Sequence, residues 1–281
     1  MLLKTYYPMP RFPAISLSGE RCELHCAHCS ATYLTGMQAA DTPARLLEVC
    51  RQLAARGAVG ALLSGGSDRR GGILNLPEMV DTIAEVSRTT GLILNIHPGL
   101  LERETAQRLR VDFASLEIPA DPTITQVFGL TASRADYLAT YTLLREAGIE
   151  VVPHITVYTG DEDELLESIE APRIIVVIVF APTRSTAMAA TQPPSPQVVG
   201  GVVRRVRARF PDAEISLGCM RPRTRGLREA IEIAALDAGV TRIELPSHST
   251  LSYAAAQGHT IRAYDACCAL PPQLEPRALR A

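Results

Sequence analysis

Short apolar segments alternate with longer amphipathic segments along most of the chain. The apolar segments have the length of buried strands, and the amphipathic segments have the length and spacing of helices. The predicted strands lie at 13–18, 58–64, 92–97, 111–118, 150–157, 173–180, 213–217 and 241–245. The predicted helices lie at 43–56, 76–89, 101–109, 133–147, 162–169, 196–209, 224–238 and 249–256. Eight strand–helix units predict an α/β fold, a (β/α)8 barrel of the TIM type, with an open doubly wound sheet as the alternative.

Polar side chains at the C-terminal ends of the predicted strands are the first candidates for function. In both folds the active site lies beyond those ends, so residues there are separated from residues that only build the scaffold. The candidates are the loop containing Cys22, Cys26 and Cys29, the segment Ser64–Asp68, and the residues His97, Ser115, Glu117, His154 and Cys219.

Composition narrows the partners and the compartment. The chain has 281 residues and a formal net charge of -2, which gives no electrostatic reason to expect nucleic acid or an anionic membrane as a partner. No stretch of apolar residues is long enough to span a bilayer. The first residues, MLLKTYYPMPRFP, lack the apolar core of a signal peptide. We therefore expect a cytoplasmic protein whose cysteines are reduced.

The seven cysteines are odd in number and unevenly spaced, which argues against a disulfide framework and for a metal site. Three of them, at positions 22, 26 and 29, share one short loop after the first strand. Cys50 falls on the apolar stripe of the first helix with Leu46 and Leu53, so we expect it in the core. The remaining cysteines are Cys219, Cys267 and Cys268.

The spacing C-x3-C-x2-C predicts an iron–sulfur cluster. Soft thiolates suit such clusters, and a short loop can ligate three irons of a [4Fe–4S] cluster and leave the fourth iron to an exogenous ligand. The alternative is a zinc site completed by His25 or His28. Structural zinc usually takes its ligands from two separated pairs, and a second pair is missing nearby, so the spacing favours iron and sulfur.

The segment ISLSGERCELHCAHC resembles the signature of the radical S-adenosylmethionine (SAM) superfamily. The segment Gly65-Gly66-Ser67 resembles the superfamily's Gly-Gly-acid motif after the second strand, with the acid displaced to Asp68. The resemblance implies a [4Fe–4S] cluster on Cys22, Cys26 and Cys29, and SAM bound at Gly65, Gly66 and Ser67. It also implies a 5′-deoxyadenosyl radical that abstracts hydrogen from a substrate.

The eight strand–helix units resemble the biotin synthase branch of that superfamily. On the fourth strand of that branch a small polar residue and an acid two positions later contact SAM, and Ser115 and Glu117 match this spacing. Glu117 is then a candidate for the ribose hydroxyls. His154, on the fifth predicted strand, is a further candidate for the SAM or substrate pocket.

A finer resemblance is to the smaller protein of a two-component lipoyl synthase. It is carried by ISLSGERCELHCAHC, LLSGGSDRRGG and SLGCMRPRTRGLREAIEIAALDAGVTRIELPS. It implies sulfur insertion into an octanoyl chain carried by a lipoyl domain or a glycine cleavage H protein, together with a second radical SAM protein. The alternatives are other biotin-synthase-like chemistry (mutase, lyase or methyltransferase), an iron–sulfur partner subunit with little activity alone, and a zinc-binding structural protein.

Sulfur insertion needs a sulfur source, commonly an auxiliary iron–sulfur cluster. Cys219 follows the seventh strand, and Cys267 and Cys268 follow the last strand–helix unit. We therefore expect these three cysteines as ligands of a second [4Fe–4S] cluster; the alternative is that they are small core residues. The expected organisation is a barrel over residues 1–265 and a cysteine-containing C-terminal tail over 266–281.

Overall fold

A computed structural model describes residues 1–158 and 163–280 of the chain. In chain order the strands are β1 (Leu2–Tyr6), β2 (Ala14–Ser16), β3 (Gln38–Ala39), β4 (Gly60–Ser64), β5 (Ile93–Ile96), β6 (Phe113–Glu117), β7 (Glu150–Val157), β8 (Ile174–Val179), β9 (Glu214–Leu217), β10 (Arg242–Glu244) and β11 (Thr260–Tyr264). The α-helices are α1 (Pro43–Ala55), α2 (Leu76–Thr90), α3 (Arg103–Arg108), α4 (Arg134–Glu146), α5 (Asp163–Glu167), α6 (Pro196–Arg209), α7 (Leu227–Asp237) and α8 (His248–Ala256).

The chain forms two compact units. The first unit is Pro8–Val151, and the second unit is Met1–Tyr7 together with Val152–Ala281. The strand order is β6-β5-β4-β2-β3 in the first unit and β11-β1-β10-β9-β8-β7 in the second. The strand pairs within each unit are parallel, as expected where helices connect successive strands.

The helices of the first unit begin at residues that satisfy their free backbone amides. The hydroxyl of Thr42 accepts a hydrogen bond from the backbone N–H of Arg45 at 3.3 Å, and Pro43 occupies the first turn of α1. Ser133 and Asp136 form a capping box at the start of α4. Gly91 ends α2 in the left-handed conformation, which glycine adopts without strain. These caps fix where each connection between helix and strand begins.

The predicted strand–helix alternation is confirmed in the described residues. Each of the eight predicted strands is present as β2, β4, β5, β6, β7, β8, β9 or β10, and each is followed by one of α1–α8. Residue 162, the predicted first residue of the fifth helix, lies outside the described residues. The strands β1, β3 and β11 were not predicted. A closed (β/α)8 barrel stays a prediction.

The predicted tail is part of the second unit and packs against β10. Arg242, fully buried on β10, donates hydrogen bonds to the backbone oxygens of Cys268 and Leu270, each at 2.9 Å, and pairs with Glu275. Glu275 lies in a 3-10 helix over Pro272–Arg277 and also accepts a hydrogen bond from Lys4 at 2.9 Å. Ala281 lies outside the described residues, and the boundary between 265 and 266 stays a prediction. None of the described helices is long and apolar enough to cross a membrane.

Candidate functional site

A cavity of about 310 Å³ in the first unit collects most of the predicted site residues. Cys22, Cys26 and Cys29 line it from the loop after β2. Gly65, Gly66 and Ser67 line it from the end of β4, and Ser115 and Glu117 line it from β6. The rule that polar residues at parallel strand ends converge therefore places eight predicted residues around one space.

Within the cysteine loop, three potential metal ligands lie close together. The ligand atoms of Cys26, His28 and Cys29 lie within 4.8 Å of one another. A hydrogen bond from Cys26, followed by interactions with His28, lowers the pKa of Cys29 to about 4. The same hydrogen bond raises the pKa of Cys26, with burial adding to the effect. Cys29 is therefore the thiolate of the pair, and a thiolate is the form that ligates soft metals.

Cys22 stands apart from that group and contacts the Gly-Gly-Ser segment. The backbone N–H of Ser67 donates to the Sγ of Cys22 at 3.4 Å, and the backbone N–H of Glu23 donates to the oxygen of Ser67 at 2.8 Å. The three thiols thus line one cavity from one short loop, and the close group in it is made of two thiols and one imidazole. This donor set suits an iron–sulfur cluster, and the close group with His28 also suits a single zinc ion.

The displaced acid Asp68 does not take the place of the acid in the Gly-Gly-acid motif. Its Oδ1 accepts hydrogen bonds from the backbone N–H groups of Arg70 at 2.8 Å and Gly72 at 3.0 Å. Its side chain closes its own loop and lines a neighbouring groove of about 780 Å³, which shares Ile73 and Leu130 with the cavity. Ser67 lines the cavity at the third position of the motif instead.

The side chains on β5 and β6 are positioned by their own hydrogen bond. The Nδ2 of Asn95 donates to the hydroxyl of Ser115 at 3.0 Å, and both residues are buried. Burial at the end of β5 lowers the pKa of His97, another cavity residue, to about 4, so its imidazole is neutral at ordinary pH. The cavity is therefore lined by Glu117, at the end of β6, and by the neutral imidazole of His97, directly after the adjacent strand β5.

Sequence reasoning missed a π-helix over Thr123–Phe128 that contacts the cysteine loop. The backbone N–H of Ala27 donates to the oxygen of Val127 at 2.7 Å, and the ring of Phe128 lies 5.6 Å from the imidazole of His28. Segments of this kind occur often at functional sites, but they have no simple sequence period. Tyr137 of α4 also lines the cavity and was missed, because α4 reads as an ordinary amphipathic helix.

The second set of cysteines lies in the second unit around Glu244. The buried carboxylate of Glu244 accepts hydrogen bonds from the thiols of Cys219 and Cys268, and from the backbone N–H of Cys268 at 3.2 Å. Burial raises the pKa of both thiols, and the negative charge of Glu244 adds to that effect. Cys267 interacts electrostatically with both. Three cysteines from two distant parts of the chain are therefore neighbours.

Cys50 and His154 are both buried, outside the lining of the cavity. Cys50 is fully buried on α1, as predicted for a core residue. His154 is buried on β7, where it pairs in register with Val176 of β8. It belongs to the second unit, and its place in a SAM or substrate pocket stays a prediction.

Comparison with known proteins gave structural matches only, since no protein-family model and no curated protein sequence matches the chain. Methylornithine synthase (PylB) shares 18% identity with a TM-score of 0.56 over 86% of this chain and 71% of that one. The FeFe-hydrogenase maturase HydG from Carboxydothermus hydrogenoformans has 13% sequence identity and a TM-score of 0.61, over 92% of this chain and 67% of that one. SuiB from Streptococcus suis, solved with bound S-adenosylmethionine, has 11% sequence identity and a TM-score of 0.53, over 94% of this chain and 58% of that one.

These structures are radical SAM enzymes of different activities, so the fold of this chain is the fold of radical SAM enzymes. Identities of 18% or less establish the fold alone. The chain spans between 58% and 71% of the length of these three proteins.

Proposed function

We propose that the chain is a radical SAM enzyme that holds a [4Fe–4S] cluster through Cys22, Cys26 and Cys29. The observation that carries the proposal is the convergence of these three thiols with the Gly65–Ser67 segment on one cavity. When bound, a [4Fe–4S] cluster and SAM together supply a 5′-deoxyadenosyl radical for hydrogen abstraction.

The chain's own residues bind and orient the cofactor in this proposal. Gly65, Gly66 and Ser67 line the cavity wall at which the methionine part of SAM would bind. The amides of Gly66 and Ser67 already donate within the protein, so their carbonyl oxygens are the groups proposed for the SAM amino group. Glu117 is an acceptor for the ribose hydroxyls, and Ser115, held by Asn95, is the second polar contact on that strand. His154 is proposed as a further contact. The apolar side chains of Leu34, Phe128 and Leu130 also line the cavity and would help to exclude water from it.

We further propose that the reaction is sulfur insertion into a protein-bound octanoyl chain, as in a lipoyl synthase component. The support for this finer proposal is the gathering of Cys219, Cys267 and Cys268 beside Glu244, a second thiol-rich site that sulfur insertion would require. These cysteines would hold a second [4Fe–4S] cluster. The proposed partners are an octanoylated lipoyl domain or glycine cleavage H protein and a second radical SAM protein, all in the cytoplasm.

The class of enzyme is tested by anaerobic reconstitution with iron and sulfide, followed by incubation with dithionite and SAM. We expect a brown protein that forms 5′-deoxyadenosine, and we expect Cys29→Ala to lose both the colour and the product. Cys50→Ala is the matched control, because Cys50 lies in the core of α1. A colourless preparation with stoichiometric zinc would contradict the proposal, and a brown protein that forms no 5′-deoxyadenosine even with substrate and partner would favour an iron–sulfur partner subunit.

The finer proposal is tested with an octanoyl-lysine peptide, with and without a candidate partner protein, and the products are read by mass. A sulfur-containing product is expected. Iron content gives an independent result, since one [4Fe–4S] cluster gives about four irons per chain and two give about eight. 5′-Deoxyadenosine without sulfur incorporation would favour a mutase, lyase or methyltransferase.

A further inference from the structure

The Gly65–Ser67 segment is fastened to the cysteine loop by three hydrogen bonds. The backbone N–H of Gly66 donates to the hydroxyl of Ser18 at 2.7 Å. The backbone N–H of Ser67 donates to the Sγ of Cys22 at 3.4 Å. The oxygen of Ser67 accepts from the backbone N–H of Glu23 at 2.8 Å. The segment therefore contacts one particular cysteine as well as the cavity.

The fit between Gly66 and the cysteine loop leaves no room for a side chain. A Cβ at Gly66 would overlap the backbone oxygen of Arg21 and would lie 2.6 Å from the Cβ of Cys22. Glycine is therefore required here for close approach of two backbones, in addition to any contact with a ligand. This close approach is what brings the Ser67 amide to the sulfur.

Ser18 holds the other side of the segment. It is fully buried, and its hydroxyl lies 3.3 Å from the hydroxyl of Ser16, which is also fully buried and donates to the backbone oxygen of Gly19 at 2.6 Å. A buried acceptor of this kind fixes the Gly66 amide in one orientation, because losing it would leave a buried N–H unsatisfied. The orientation of the next amide, that of Ser67, follows from it.

Hydrogen bonds to cluster sulfurs are one of the main determinants of the reduction potential of an iron–sulfur centre. A donor that points at a thiolate stabilises the more negatively charged reduced state and raises the potential. The thiols of Cys22 and Cys26 each lie 3.8 Å from a backbone oxygen, that of Ser67 and that of Phe128. Cys22 also accepts from the Ser67 amide at 3.4 Å, and Cys29 accepts from the backbone of Ala31.

We propose that the Ser67 amide raises the reduction potential of the metal centre through its hydrogen bond to Cys22, with Ser18 as the positioning residue that aims it. The inference rests on the proposed function, because it requires a redox-active cluster on Cys22. It gives the Gly-Gly-Ser segment a second role beyond binding SAM. The same segment then lines the cavity and contacts a cysteine sulfur.

The test is a redox titration of the reconstituted protein, with dithionite as the reductant and the reduced cluster followed by electron paramagnetic resonance. We expect Ser18→Ala to keep its iron and to titrate at a more negative midpoint potential than the wild type. Ser67→Pro removes the amide donor itself and should shift the potential in the same direction. Gly36→Ala is the matched control, because a Cβ there meets nothing within 4 Å.

Resonance Raman spectroscopy gives a second readout that a purely structural role would not change. In the wild type, exchange into D2O should shift a cluster–cysteine stretching band, and Ser67→Pro should remove one such shift. An unchanged midpoint potential and an unchanged isotope shift in both variants would overturn the inference, and so would loss of iron from Ser18→Ala. A wild-type protein that never assembles a cluster would instead overturn the proposed function on which it rests.

Discussion

The Nη2 of Arg221 lies 2.6 Å from the Oε1 of Glu232, and both side chains are buried. The same guanidinium donates to the backbone oxygens of Gly218 at 2.6 Å and Glu244 at 2.7 Å. These two oxygens belong to the residue before Cys219 and to the residue whose carboxylate contacts Cys219 and Cys268. A buried ion pair therefore fixes the backbone that carries the second set of cysteines.

We expect Arg221→Ala to destabilise the protein strongly. Removing one partner leaves the Glu232 carboxylate buried and without its main counter-charge, which typically costs about 3–5 kcal/mol of the free energy of unfolding. Urea unfolding measures the change. The control is Arg45→Ala, whose exposed pair with Glu48 should contribute only about 0–1 kcal/mol. Equal losses in the two variants would contradict the assignment.

Glu232 should make the stability depend on acid pH. Burial alone would raise the pKa of Glu232, but Arg221, the backbone N–H of Ser247, Thr250 and Arg228 outweigh it and lower the pKa to about 2. The folded-state pKa is below the unfolded value, so the stabilisation is complete above about pH 4.5 and is lost as the pH falls towards 2.

We expect the wild type to lose on the order of 3 kcal/mol more than Glu232→Gln over that interval, at about 1.4 kcal/mol per pKa unit. Denaturant unfolding at a series of pH values measures how the free energy of unfolding of each protein changes with pH. Parallel slopes for the two proteins would show that Glu232 does not titrate in this way.

Glu275 should control access to the tail cysteines. Its carboxylate accepts hydrogen bonds from Lys4 and from the hydroxyl of Tyr6, each at 2.9 Å, and pairs with the buried Arg242. Loss of about 3 kcal/mol from such a buried network would raise the population with an opened tail about a hundredfold. In Glu275→Ala we therefore expect Cys268 to be alkylated by N-ethylmaleimide about a hundredfold faster under native conditions.

Mass spectrometry of the tryptic peptides gives the alkylation rate of each cysteine. Cys50 is the internal control, because it lies in the core of the first unit and should react at the same rate in both proteins. Faster reaction at Cys50 as well as Cys268 would mean global unfolding and would contradict a local role for Glu275.

Cys29 should be the reactive thiol of the metal-free protein at mildly acidic pH. Its pKa of about 4 leaves it a thiolate at pH 6, whereas the pKa of Cys26 is raised by the hydrogen bond that Cys26 donates. A short pulse of iodoacetamide at pH 6, read by peptide mass, should label Cys29 before Cys26. Cys26→Ala removes the donor of that hydrogen bond, so labelling of Cys29 at pH 6 should fall. Unchanged labelling would show that the hydrogen bond from Cys26 does not lower the pKa of Cys29.

Local pattern was sufficient for the strand–helix scaffold and for the cysteine loop. The eight strand–helix units are set by apolar periodicity, and the starts of α1 and α4 are set by Thr42 and Ser133, because these signals act between residues a few positions apart. The spacing of Cys22, Cys26 and Cys29 also predicted their common site, since one short loop must keep them together.

The tertiary structure decided what depends on residues far apart in the chain. Asp68, expected near the cavity, binds the amides of its own loop, and Tyr137 and the π-helix reach the cavity through packing that leaves no period in the sequence. The strands β1 and β11 find their partners only in the folded second unit. Glu244 accepts hydrogen bonds from both Cys219 and Cys268, which are far apart in the chain. The sequence could not predict this contact, because the partners of a buried polar group depend on the folded geometry.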